Sequence, residues 1–297
     1  MRSRQMQADA WLLFVSLIWG SSFILTKQSV AGFPVFAFLS LRFGLATVVL
    51  FLAFGQRLKA LQPHTVAAGV VVGLLLFAGL AFQTIGLRYT SASKAAFIAS
   101  MSVAIVPLLS AVVLRQPPTR GALAGVAVAT VGLAVLTLTP SASAEWTVGQ
   151  TAWQPGDLIT FGCAVFFALQ IVAVSLLAPR TDAMAMTILQ VAVAAVLSGL
   201  AALLLESWPG AIPLDVGVAA AFTGVMATAV AFVVQNAMQP WTSATRTALI
   251  LTTVPVFAAL FGYVLAGECL APPALAGCGL ILLGTALAEL RAETSAQ

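Results

Sequence analysis

The chain has 297 residues, of which 61% are hydrophobic and 7% charged, with a formal net charge of +4 and a mean hydropathy of +1.07. Soluble domains carry roughly 25% charged residues. This much polar side chain cannot cover a globule in water, so a soluble enzyme or binding module is excluded. The basic residues sit in short loops rather than on one face, so the positive charge is a topology signal and not a nucleic-acid surface. The three cysteines, Cys163, Cys269 and Cys278, lack metal spacing and a disulfide framework, and they read as small hydrophobes.

A membrane-crossing helix needs about 20 mostly apolar residues. Ten such runs occur, at 10–29, 34–54, 66–87, 92–114, 120–138, 157–177, 183–205, 216–238, 243–266 and 271–290. In lipid the backbone has no outside hydrogen-bond partner, so these runs are expected to be helices. Turn residues separate them: Gly32-Phe33-Pro34, Gln116-Pro117-Pro118-Thr119, Pro179-Arg180-Thr181-Asp182 and Ala271-Pro272-Pro273. The first run follows Arg2 and Arg4 as a secretory leader would. It resumes through Leu25, however, and its internal counterpart at 157–177 cannot be a leader, so a retained helix is expected.

The chain repeats itself. Thr90-Ser91-Ala92-Ser93-Lys94-Ala95-Ala96 returns as Thr242-Ser243-Ala244-Thr245-Arg246-Thr247-Ala248, 152 positions later. At the same offset Gln83 falls on Gln235, Gly125 on Gly277 and Gly132 on Gly284. Nearer the start the offset is 148, pairing Asp9 with Asp157, Trp19 with Phe167 and Arg42 with Gln190. A four-residue insertion around Ser207-Trp208-Pro209-Gly210 accounts for the change. The expected fold is an all-α membrane protein of ten transmembrane helices, arranged as two five-helix repeats. Residues 1–140 form the first, 141–156 a periplasmic linker, and 157–297 the second. With the N-terminus inside, nine basic residues fall on the cytoplasmic side and three (Lys27, Arg88, Lys94) on the other, so both termini are expected in the cytoplasm. Five is odd, so the second repeat enters the membrane inverted, as alternating access requires.

Several segments carry a family resemblance. They are Thr-Ser-Ala-x-x-x-Ala at the head of the fourth and ninth spans, Trp19-Gly20-Ser21-Ser22-Phe23, Leu41-Arg42-Phe43, Pro255-Val256-Phe257-Ala258-Ala259-Leu260, Gly267-Glu268, and the glycines from Gly277 to Gly284. Together they resemble the drug/metabolite transporter superfamily, EamA-type members in particular, over essentially the whole chain. The resemblance implies a ten-helix secondary transporter in the bacterial inner membrane, close to exporters of aromatic and neutral amino acids. A broad-specificity drug or other-metabolite efflux carrier is the alternative. The first repeat departs from the pattern: Pro107 lies four residues beyond the position matching Pro255, which predicts a displaced kink in the fourth span.

Arg42 lies about eight residues, or roughly 12 Å, inside its span. Buried arginine in lipid is costly and faces a cavity or a partner. It is either a bidentate grip for a substrate carboxylate or a tie between helix carbonyls. The amides Gln83, Gln170, Gln190, Gln235 and Asn236 suit an amphoteric ligand, and equally suit interhelical bonding. Trp19, Ser22, Phe23, Phe97 and Phe167 complete the substrate-binding set, with Phe82, Phe166, Tyr89 and Trp241 as further aromatic candidates. Tyr89 and Trp241 also fit interfacial belts. Pro107 and Pro255 are candidate gate hinges, each removing a backbone hydrogen bond.

Absences narrow the mechanism. All nine acidic residues sit at span ends, loops or termini, and the sole histidine, His64, lies in a loop. Transport obligatorily driven by protons is therefore not expected. No phosphate loop supports ATP drive. An intramembrane enzyme would need a nucleophile and base, paired aspartates or a metal site within the membrane, and these are missing. The expected partners are a small-molecule substrate and the lipid bilayer, without nucleic acid, cofactor or metal. A monomer is expected. Gly121-x-x-x-Gly125 would serve internal packing or a dimer.

Overall fold

The computed structural model describes residues 2–89, 92–115, 118–138, 155–266 and 272–294. Most of the linker expected at 141–156, the Thr90-Ser91 start of the first motif and the Gly267-Glu268 pair lie outside them. All regular structure among the described residues is helical. The helices are α1 (Arg2–Gly32), α2 (Val35–Phe54), α3 (Pro63–Leu87), α4 (Ala92–Ser100), α5 (Ser102–Val113), α6 (Arg120–Leu138), α7 (Pro155–Leu177), α8 (Ala183–Leu205), α9 (Leu214–Gly224), α10 (Ala231–Met238), α11 (Ala244–Leu251), α12 (Val254–Ala266) and α13 (Pro272–Thr294). A π-helical turn, Val225–Val230, joins α9 to α10. Among the described residues seven helical segments are long and apolar enough to cross a membrane, and Ile98–Val113, Arg120–Val135 and Leu275–Gly284 are shorter apolar helices.

Local sequence explains the helix boundaries. Pro63, Pro155 and Pro272 open α3, α7 and α13, where the missing N–H has no intrahelical partner to lose. Asp182 and Ser243 cap α8 and α11 by accepting from Ala185 N (2.9 Å) and Arg246 N (3.1 Å). α2 follows Pro34, which has no side chain to cap with. Its free amides are served from a distance, because the Glu206 carboxylate accepts from Phe36 N (3.1 Å) and Ala37 N (3.0 Å). Leu203, Leu204 and Leu205 point outward, mostly exposed, as they do in a helix whose surroundings are hydrocarbon.

Small residues set the helix contacts and their directions. A β-carbon on Gly132 of α6 would sit 2.7 Å from the Gly277 carbonyl oxygen of α13, and one on Gly284 of α13 would sit 2.7 Å from that of Gly125. The later residue on one helix meets the earlier on the other in both contacts, so α6 and α13 run antiparallel. Gly125 is thereby used inside the molecule, which favours the packing reading of Gly121-x-x-x-Gly125. The same rule applied to Gly79 against Phe167 and Gly86 against Thr160 makes α3 and α7 antiparallel.

Two expectations are corrected. First, the four-residue insertion is not all at Ser207–Gly210. The stretch from the start of α8 to the start of α9 is three residues longer than that from the start of α2 to the start of α3. The fourth is the π turn, which adds one residue to a helix without ending it. Second, Pro107 does not displace a kink. α5 runs unbroken through it, and the break lies at Met101, between α4 and α5. The matching break at Thr252-Thr253 separates α11 from α12, immediately before Pro255. Met101 N donates to Ile98 O (3.1 Å) and Thr253 N to Ile250 O (3.0 Å), the same tight turn at positions 152 apart. The same i→i−3 turn carries the break in both places.

Candidate functional site

Between the two halves lies a cavity of about 810 Å³, its open mouth included. α1, α2, α3, α7 and α10 wall it, and the breaks α4/α5 and α11/α12 reach it through Ser100, Ser102, Leu251 and Val254. Eight of the expected binding residues line it: Trp19, Ser22, Phe23, Arg42, Gln83, Phe167, Gln170 and Gln235. Three do not. Gln190 is sealed in the packing at 0% exposure, and Asn236 is likewise buried, its Nδ2 donating to Thr187 Oγ1 at 2.9 Å. The Phe97 side chain lies outside the described residues. Phe82 and Phe166 stack on each other at 5.5 Å away from the cavity. Tyr89 and Trp241 sit at helix ends, half or more exposed, with the Arg4 guanidinium 4.8 Å from the Trp241 ring.

The π turn organises the cavity wall. An α-helix bonds each carbonyl to the amide four residues on, whereas a widened turn leaves groups free for side chains. Trp19 Nε1 donates to Ala227 O at 2.8 Å. Arg42 Nε donates to Thr228 Oγ1 at 2.8 Å, and that hydroxyl donates on to Thr223 O at 2.9 Å. Thr228 thus accepts from the guanidinium with its own proton already placed. Arg42 has no other hydrogen-bond partner among the described residues, and no carboxylate is among the cavity-lining residues. A buried cation next to an uncharged cavity leaves a place for an anionic group.

The amides divide the cavity into a sealed end and a receptive end. Gln239 donates to Ile171 O and to Ser175 Oγ (2.7 Å), and its Oε1 accepts from Gln235 Nε2 (3.1 Å). Gln235 Nε2 also lies 3.3 Å from Gln170 Oε1. This chain of amides ties α7 to α10 at the end of the bundle where α1 begins. Closer to that end, Asp9 of α1 accepts from Arg246 of α11 at 2.7 and 3.2 Å. Lining residues Thr26 and Leu87 lie toward the opposite end. Gln170 Nε2 and Gln235 Oε1 remain without partners, and the Gln83 side chain makes no hydrogen bond among the described residues. The lining therefore brings the amides of Gln83, Gln170 and Gln235 and the Arg42 cation beside the rings of Trp19, Phe23, Phe167 and Phe232.

Sequence reasoning missed Thr228, Phe232, Gln239 and the serines at the α4/α5 break. A signal existed for the first: the repeat offset rises by one between Gly73/Gly224 and Gln83/Gln235, within the π turn.

The EamA-like transporter family matches this chain twice, over residues 6–138 and 154–290. The chain belongs to the EamA-like transporter family. It is a multi-pass membrane transporter and not an enzyme. A protein of Archaeoglobus fulgidus named as an uncharacterized transporter is 31% identical over 97% of this chain and 87% of its own length. A Chlamydia trachomatis protein named as an S-adenosylmethionine/S-adenosylhomocysteine transporter is 29% identical over 93% of this chain and 88% of its own. A crystal structure at 21% identity superposes with a TM-score of 0.80, covering 98% of this EamA-like chain and 99% of the other, which establishes a shared fold.

Proposed function

We propose that this chain is an inner-membrane secondary transporter that exports aromatic and neutral amino acids and related small metabolites. One observation carries the substrate reading: Arg42 is the sole charged residue of the cavity lining, beside amides and four aromatic rings. An amino acid has a carboxylate for the guanidinium, an ammonium for the amide oxygens and an apolar side chain for the rings. S-adenosylmethionine and S-adenosylhomocysteine, in the name of the Chlamydia trachomatis relative, also end in an amino-acid head group. They count among the related metabolites.

The mechanism is alternating access. Ten membrane helices form two inverted five-helix repeats, and the cavity between them faces one side at a time. The antiparallel α6–α13 contact and the double family match support this arrangement. Both termini lie in the cytoplasm, so the Asp9–Arg246 pair and the Gln235–Gln239 ladder close the cytoplasmic side, and the cavity opens outward. With no carboxylate on its wall, the cavity has no group to couple a proton to the substrate, and transport is facilitative. Saturable uptake of labelled phenylalanine into proteoliposomes is expected with or without a pH gradient. Uptake that vanishes when the gradient is collapsed contradicts the facilitative reading. Absence of saturable uptake in either condition contradicts the substrate class.

A further inference from the structure

We propose that Gln190 is a latent half of the binding site, which replaces Arg42 in the cavity wall when the cavity opens to the other face. The cavity then carries its cation in only one of its two access states. The inference rests on the alternating-access reading above.

The two residues occupy equivalent places in the packing. A β-carbon on Gly224 would lie 2.8 Å from the Arg42 carbonyl oxygen, and one on Gly73 would lie 2.8 Å from that of Gln190. The contact of α2 with α9 is thus repeated by α8 with α3. Arg42 faces the cavity, whereas Gln190 has 0% exposure and neither its Nε2 nor its Oε1 has a partner. One turn away on α8, Thr187 binds Asn236, whose Oδ1 is also unpartnered. A neutral amide with both ends unsatisfied, deep in the bundle, is costly. Facing a wet cavity would remove that cost, and exchanging the conformations of the two repeats puts Gln190 there.

The consequence is directional. A carboxylate meets a guanidinium in one state and an amide in the other, so its affinity differs between the faces. A ligand lacking the carboxylate has no such difference. Substrate released from the amide state needs no separate event to break a charge pair.

The test uses the full-length chain with Cys163, Cys269 and Cys278 replaced by serine, in right-side-out and inverted membrane vesicles. Single variants Gln190→Cys, Arg42→Cys and Ser102→Cys are labelled with a membrane-impermeant methanethiosulfonate reagent, and an N-terminal tag reports orientation. Ser102→Cys, on the cavity wall at the α4/α5 break, is expected to label in both vesicle types. Gln190→Cys is expected to label only from the face that carries the N-terminus, and Arg42→Cys only from the opposite face. The Gln190→Cys result is read against the tag, so it stands even if Arg42→Cys does not fold. Ser102→Cys labelled from both faces with Gln190→Cys labelled from neither, or from the face opposite the tag, overturns the inference and leaves alternating access intact. Ser102→Cys labelled from one face only overturns both.

Discussion

Arg42 shows how one side chain links burial, partner and ligand. Its Nε is held by Thr228, Thr228 is oriented by Thr223 O, and Arg42 lines the cavity. Hydrogen bonds to charged groups contribute about 1.5–3 kcal/mol. Arg42→Gln is therefore expected to weaken phenylalanine by about tenfold to a hundredfold while leaving phenylethylamine, which lacks the carboxylate, nearly unchanged. Competition by both compounds for uptake measures this. Equal loss for the two would mean that Arg42 is a tie between helices. Thr228→Val keeps the shape and removes the acceptor, so it should weaken phenylalanine less than Arg42→Gln does, with folding retained. The depth of Arg42 was legible in the sequence, because a charge inside an apolar run stands out. Its partner was not, because a threonine in an apolar helix carries no mark until the helix is seen to widen there.

The helices show which local rules survive in a membrane. The cap of α2 comes from Glu206, far along the chain, so Glu206→Ala leaves two helix amides without an acceptor. A lost cap costs about 0.5–2 kcal/mol, and a fall in the thermal midpoint with transport retained is the expected result. The π turn holds both Trp19 and Arg42 by hydrogen bonds. Deleting Ala229 would restore a continuous α-helix and turn Thr228 and Ala227 away from Arg42 and Trp19. The deletion variant should fold but lose uptake, which size-exclusion and transport assays distinguish. The prolines are visible in sequence, whereas the i→i−3 turn at Met101 and Thr253 is a backbone event that carries no mark there. The repeat itself held the answer, because both breaks fall at equivalent positions.

At the scale of the whole molecule, the class and the apolar helical segments were legible, since apolar run length and the lipid's intolerance of unpaired backbone fix them together, while the breaks within the fourth and ninth segments were not. The cavity was legible only as a list of polar and aromatic positions. Which of them meet depends on helix rotation, and this is why Trp19 and Gln235 reach the cavity while Asn236, next to Gln235, does not. The end of the bundle near the N-terminus is latched by Asp9 and Arg246, with side chains 11% and 16% exposed. Removing one partner of a fully buried pair costs about 3–5 kcal/mol. Asp9→Asn, only mostly buried, is expected to lower stability by roughly 2 kcal/mol and to raise labelling of Ser102→Cys from that end. Unchanged labelling would place the gate elsewhere.

In the proposed function the cavity takes an amino acid by its carboxylate and moves it without a proton. Uptake of labelled phenylalanine by proteoliposomes, compared between the unsubstituted chain and Arg42→Gln at equal internal and external pH, tests it most directly. Saturable uptake that is largely lost in Arg42→Gln is the predicted result. No uptake by the unsubstituted chain at equal pH, or equal uptake by both proteins, would contradict it.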